Sequence, residues 1–170
     1  NYGAEYSVDE KNLAAYFQAN FEGENWSGNV GLRYVNIDQN IDSYFAVTNV
    51  ADADVSSLFG QWKRVQTENK YHRFLPSANI KFNMAENLVF RFAASQTQTL
   101  PDYSALGAAA WGSDLNKTGG GGNPNLKPVR STNFDAGLEW YFMPRGLLSA
   151  TGYSMNMKDY VAYGVQTQML

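Results

Sequence analysis

The sequence predicts an all-β fold, an antiparallel meander of about six long strands arranged as three hairpins. Three observations predict it. Apolar and polar residues alternate with period two over runs of about ten residues, the pattern of strands whose faces meet different surroundings. The runs come in pairs, each pair joined by a few turn-forming residues. Roughly thirty residues separate one pair from the next, far longer than the usual connection in a compact soluble domain.

The first hairpin covers about residues 10–36. Leu13, Ala15, Phe17, Ala19 and Phe21 share one face, and Ala14, Tyr16, Gln18, Asn20 and Glu22 the other. Gly23-Glu24-Asn25 turns the chain. Trp26, Gly28, Val30, Leu32 and Tyr34 then alternate with Asn29, Gly31 and Arg33.

The second hairpin covers about 72–98. Ala78, Ile80 and Phe82 alternate with Asn79, Lys81 and Asn83, and Met84 to Asn87 forms the turn. Leu88, Phe90, Phe92 and Ala94 return opposite Val89, Arg91, Ala93 and Ser95. The third covers about 131–157. Phe134, Ala136, Leu138, Trp140 and Phe142 oppose Asn133, Asp135, Gly137, Glu139 and Tyr141. Pro144-Arg145-Gly146 turns the chain into Leu148, Ala150 and Gly152. The last strand is the least regular, because Met155 and Met157 fall on its polar face.

Composition narrows the function. Aromatic residues make up 15% of the chain and charged residues only 17%, the reverse of a disordered segment. A net charge of −3 offers no basic patch for nucleic acid. The absence of Cys removes disulfide scaffolds and thiolate zinc sites, and a single His removes a multi-histidine metal site. No cofactor is expected. A membrane helix needs about 18 consecutive apolar residues. The best run here, Ala105 to Trp111, is far shorter and contains Gly107. No signal peptide is visible at Asn1. The mean hydropathy of −0.41 is compatible with a membrane β-barrel, whose alternating strands average out.

Period two fits a β-sandwich and a membrane barrel alike. Strand length and the alternation of tight turns with long loops favour the barrel. Phe21, Trp26, Phe82, Trp140 and Phe142 all stand on the apolar face beside the tight turns, as a lipid-interface belt requires. Arg33, Lys81, Arg91, Asp135 and Glu139 would then face a polar lumen. Asp135 and Glu139 lie roughly 13 Å apart along their strand, too far for a glycosidase carboxylate pair.

The long loops, about 40–70 and 100–130, contain the candidate ligand-binding aromatics Trp62, Tyr103 and Trp111, beside the bland alternative of loop packing. Gly119 to Gly122 is followed by Asn123-Pro124 and lacks the Lys-Ser/Thr that a phosphate loop needs. It reads as a loop tip, and Asn123-Pro124-Asn125-Leu126-Lys127-Pro128 as a stiff return into strand. His72, within Asn69-Lys70-Tyr71-His72-Arg73, reads as a rim residue. No Ser-His-acid or other catalytic constellation is present, so no enzyme is expected.

Three stretches resemble the barrel of TonB-dependent outer-membrane receptors. They are Gly122 to Pro128 with Ser131-Thr132-Asn133-Phe134-Asp135-Ala136-Gly137-Leu138-Glu139-Trp140-Tyr141-Phe142, then Gly28 to Val35, then Leu75 to Asn79 with Leu88 to Arg91. They are spread over most of the chain in the family's order.

The resemblance implies a 22-stranded transmembrane barrel with a plug domain in its lumen, in the outer membrane of a Gram-negative bacterium. It implies import of a scarce nutrient, such as a carbohydrate or a siderophore, energised through TonB. The implied partners are the rest of the barrel and its plug, the TonB complex, outer-membrane lipid and a small nutrient ligand. Six strands cannot close even an eight-stranded barrel. The chain shows no plug and ends at Met169-Leu170 rather than at a terminal aromatic residue. It is therefore expected to be an internal piece from the barrel's second half. The alternative is a soluble β-sandwich for carbohydrate binding or adhesion, whose apolar stripes would pack on a second sheet.

Overall fold

A computed structural model describes residues 2, 5–107, 111–113, 118–162 and 164. Among the described residues nine strands and one short α-helix follow in order, with a single 3-10 turn at Val50–Asp52 after β2: β1 (Tyr6–Glu22), β2 (Trp26–Val47), β3 (Val55–Ser57), β4 (Gly60–Ala85), β5 (Leu88–Thr99), α1 (Tyr103–Gly107), β6 (Trp111–Ser113), β7 (Thr118–Gly120), β8 (Val129–Met143) and β9 (Gly146–Lys158). The main sheet has the order β1-β2-β4-β5-β8-β9, with β3 paired to β4. β4–β5, β5–β8 and β8–β9 pair antiparallel, and the six long strands form a meander. Among the described residues β6 and β7 pair only with each other.

The strands fall into two compact units. The first holds residues 1–13, 36–72 and 100–127, and the second holds 14–35, 73–99 and 128–170. β1, β2 and β4 each contribute residues to both.

The first unit contains most of the buried apolar side chains. Ile37, Ile41 and Leu106 are almost wholly buried, with Trp62 and Ala105 close to it. Gln39 and Ser43 complete the buried odd-numbered face of β2. Asn36, Asp38, Asn40 and Asp42 occupy the opposite face, and Asp42 pairs with Arg64 at 3.0 Å. The segment after β5 is pinned from several sides. Asn69 donates to the Pro124 carbonyl, the Tyr71 hydroxyl donates to the Leu126 carbonyl, and the Asn123 amide donates to the Ala105 carbonyl. Gly107 lies against the Tyr6 ring, where any side chain would collide. Gly60 has φ +126°, a backbone that L side chains rarely adopt, and its carbonyl accepts from the Ser57 hydroxyl in the β3–β4 turn.

The second unit is a register of long pairings. Phe82 faces Phe90, which faces Leu138, which faces Ala150. The next outward row runs Leu88, Trp140, Leu148. The β4–β5 connection is Glu86-Asn87 and the β8–β9 connection is Pro144-Arg145.

The first long loop is a correction. Residues 40–70 are mostly strand, because β2 runs on to Val47 and β4 begins at Gly60. The first hairpin therefore starts before residue 10 and extends past 36, and β4 begins well before 72. The apolar residues change parity at Tyr34–Val35. Even positions are apolar up to Tyr34, and odd positions Val35, Ile37 and Ile41 are the buried ones after it. A change of phase read as a strand end is a strand whose two faces exchange surroundings. The second loop, about 100–130, contains α1 and the β6–β7 pair.

Candidate functional site

The pairing register gives the second unit two different faces. On one face stand Ala78, Ile80, Phe82, Phe90, Phe92, Phe134, Leu138, Trp140 and Leu148. Six of them are open, from 36% exposure at Phe92 to 61% at Leu148, while Ala78, Ile80 and Phe90 are half-buried. Among the described residues no second sheet covers them. An apolar face of this extent marks contact with lipid or another protein. Phe21, Trp26, Phe82, Trp140 and Phe142 are all exposed near the tight turns, and the Trp140 and Phe142 rings stand 5.7 Å apart.

The other face carries the charge. Lys81 pairs across to Arg91, and Ala93 to Asp135. The Arg91 guanidinium donates to both Glu139 oxygens, at 2.9 and 3.4 Å, and the Tyr141 hydroxyl donates to Glu139 Oε2 at 3.0 Å. The diagonal step from Arg91 to Glu139 spans one residue pair, because Gly137 is Arg91's direct partner. Asn79 donates to Asn29, which places Arg33 on the same face by its spacing from Asn29. Lys81, Arg91, Asp135, Glu139 and Thr151 line a shallow groove there. Met155 and Met157 face Asn133 and Ser131 across β8–β9 and line a second groove on that polar side.

The three aromatics named as ligand candidates have different surroundings. Trp62 belongs to β4 rather than to a loop and is 8% exposed, with its indole N–H unpartnered. A buried strand residue is not available to a ligand, so this expectation is corrected. Tyr103 opens α1, is half exposed, and its hydroxyl donates to Glu10 at 3.3 Å. The nearby Glu10 carboxylate raises the Tyr103 pKa. Trp111 opens β6, and its side chain lies outside the described residues. Sequence reasoning missed Glu10, which also accepts from buried Gln39 at 2.9 Å. Its only sequence signal is its even position on β1, the side opposite Leu13 and Phe17.

A family model for the β-barrel of TonB-dependent-receptor-like proteins matches residues 2–170. The chain belongs to that family. No curated protein sequence matches it. The TonB-dependent receptors are outer-membrane transport proteins of Gram-negative bacteria, transporters rather than enzymes. Members interact in general with a plug, with TonB and with a ligand. The structure contributes an antiparallel meander, and among the described residues no helix is long and apolar enough to cross a membrane.

Proposed function

We propose that this chain is wall and ligand-facing loop of an outer-membrane barrel that imports a scarce nutrient, a carbohydrate, a siderophore or a similar small molecule. The observation that carries the reading is the uncovered apolar face of the second unit, set back to back with a charged one. A sheet in water hides such a face, whereas a barrel wall offers it to lipid and keeps its polar face for the lumen. Arg33, Lys81, Arg91, Asp135 and Glu139 are then lumen residues, and the plug and the TonB complex are the partners. Tyr103 and Trp111 are the aromatics offered to the ligand. Transport here is binding and conformational change, with no chemical step.

The test uses the full-length receptor reconstituted in lipid. Brominated acyl chains are expected to quench Trp26 and Trp140, and cells lacking the receptor are expected to lose uptake of one scarce nutrient. Unquenched Trp26 and Trp140 together with unchanged uptake would sink the reading. A detergent-free monodisperse receptor would favour the sandwich.

A further inference from the structure

The second groove on the polar side, across β5, β8 and β9, has two walls of different chemistry. The register sets them in rows. Thr97 faces Ser131, which faces Met157, and Ser95 faces Asn133, which faces Met155. Asp135 faces Tyr153 in the next row. All of them line one groove of about 380 Å³. β5 and β8 thus supply hydroxyls and an amide, and β9 supplies a phenol ring and two thioethers. Tyr153, Met155 and Met157 are each more than half exposed. Met155 and Met157 are the residues that break the alternation of β9. A line of exposed apolar side chains on a polar face is out of place unless it serves binding.

The polar wall is already oriented. Ser131 Oγ donates to Asn133 Oδ1 at 2.6 Å, and Asn133 Nδ2 donates to Thr97 Oγ1 at 3.3 Å. This chain of bonds runs in one sense. It does not consume the Thr97 hydroxyl hydrogen or the second amide hydrogen of Asn133, so both can be given to a guest's oxygens. Ser95 and Thr99 add hydroxyls that donate and accept. The lining contains no Lys, Arg or His, and its single charge is the Asp135 carboxylate. Lys81 and Arg91 line the other groove. An anionic guest, such as a ferric carboxylate chelate or a phosphate ester, would meet a negative charge here and no cation to pair with it. From the Asp135 row to the Ser131 row the groove follows about 13 Å of strand.

We infer that this groove binds a neutral sugar, a short oligosaccharide lying along β8 between the hydroxyl wall and the apolar one. The C–H face of a sugar ring is apolar and stacks on Tyr153, while the flexible thioethers of Met155 and Met157 follow its outline. The ring's edge is a row of hydroxyls that each donate and accept, which Thr97, Ser131 and Asn133 match group for group. A few placed polar groups beside apolar contact surface is the make-up of a small-molecule site. Paired strands hold that geometry more precisely than a loop does.

This inference rests on the barrel reading, in which the groove faces the lumen, and it narrows the imported ligand to one class. The full-length receptor, purified in detergent, is titrated calorimetrically with the neutral trisaccharides maltotriose, cellotriose, xylotriose and mannotriose, and with ferric citrate. At least one trisaccharide is expected to bind, and ferric citrate is not. Tyr153→Ala should weaken the sugar about tenfold while Tyr153→Phe keeps it, and Thr97→Val should weaken it about fivefold. Heat-modifiable gel mobility checks that each variant folds. Sugar binding unchanged in folded Tyr153→Ala and Thr97→Val would give the groove to another occupant, such as the plug, and overturn the inference. Binding of ferric citrate alone would overturn it too. No sugar binding, with Trp26 and Trp140 still quenched by brominated lipid, would overturn the groove and leave the barrel reading standing. No binding with both tryptophans unquenched would overturn both.

Discussion

β1, β2 and β4 contribute residues to both units, and along β2 the apolar side chains change from even to odd positions. In the first unit the odd face of β2 is buried, around Ile37 and Ile41, and the even face carries Asn36, Asp38, Asn40 and Asp42. In the second unit the even face of the same strand is apolar and open, through Trp26, Val30 and Leu32, while Asn29 and Arg33 take the odd face. Strand geometry permits either arrangement, since successive side chains only need to alternate. The difference teaches that the pattern reports the solvent on each side. On the function proposed above, the open even face of the second unit meets lipid, while the buried odd face of the first meets protein.

Five substitutions in the full-length receptor test this contrast. The largest effect is expected at the packed face. Ile41→Ala should cost about 2–5 kcal/mol, read from denaturant unfolding in lipid, and a cost near zero would mean that nothing packs there. Next comes the open face. Leu138→Arg should cost about 2–4 kcal/mol if the position faces mid-bilayer, and Gln66→Arg, on the even face of β4 in the first unit, about 0–1 kcal/mol. Equal costs would erase the distinction between the units.

Gly107→Ala should cost about 1–3 kcal/mol, because the new methyl group meets the Tyr6 ring and one of the two must shift. A thermal-unfolding midpoint identical to that of the parent would show that the α1 contact yields freely. The smallest effect is expected from Arg91→Met. The Arg91–Glu139 pair is exposed and Glu139 keeps the Tyr141 hydroxyl, so the unfolding midpoint should stay within error. A large loss would mark the charged face as a tightly coupled network.

Much of the second unit was legible in the residues. The alternation of Phe82, Phe90, Leu138 and Trp140 with Lys81, Arg91, Gly137 and Glu139 depends only on the two-residue period. The tight turns were legible for the same local reason, through Gly23, Asn87 and Gly146. The first unit was not. Its strands were cut short at the parity change, because a period-two reading treats a phase slip as an end. Trp62 was misplaced with them, and Glu10 was missed because its partners Gln39 and Tyr103 lie 29 and 93 residues away.

By itself the sequence determined strand alternation, tight-turn positions and the chemical contrast between the faces, since each is set by neighbours a few residues apart. It also carried the resemblance to the receptor barrel. Only the tertiary structure decided which strands pair, where β2 and β4 end, and which aromatics are buried. Those depend on register between residues far apart in the chain, and no local period encodes register.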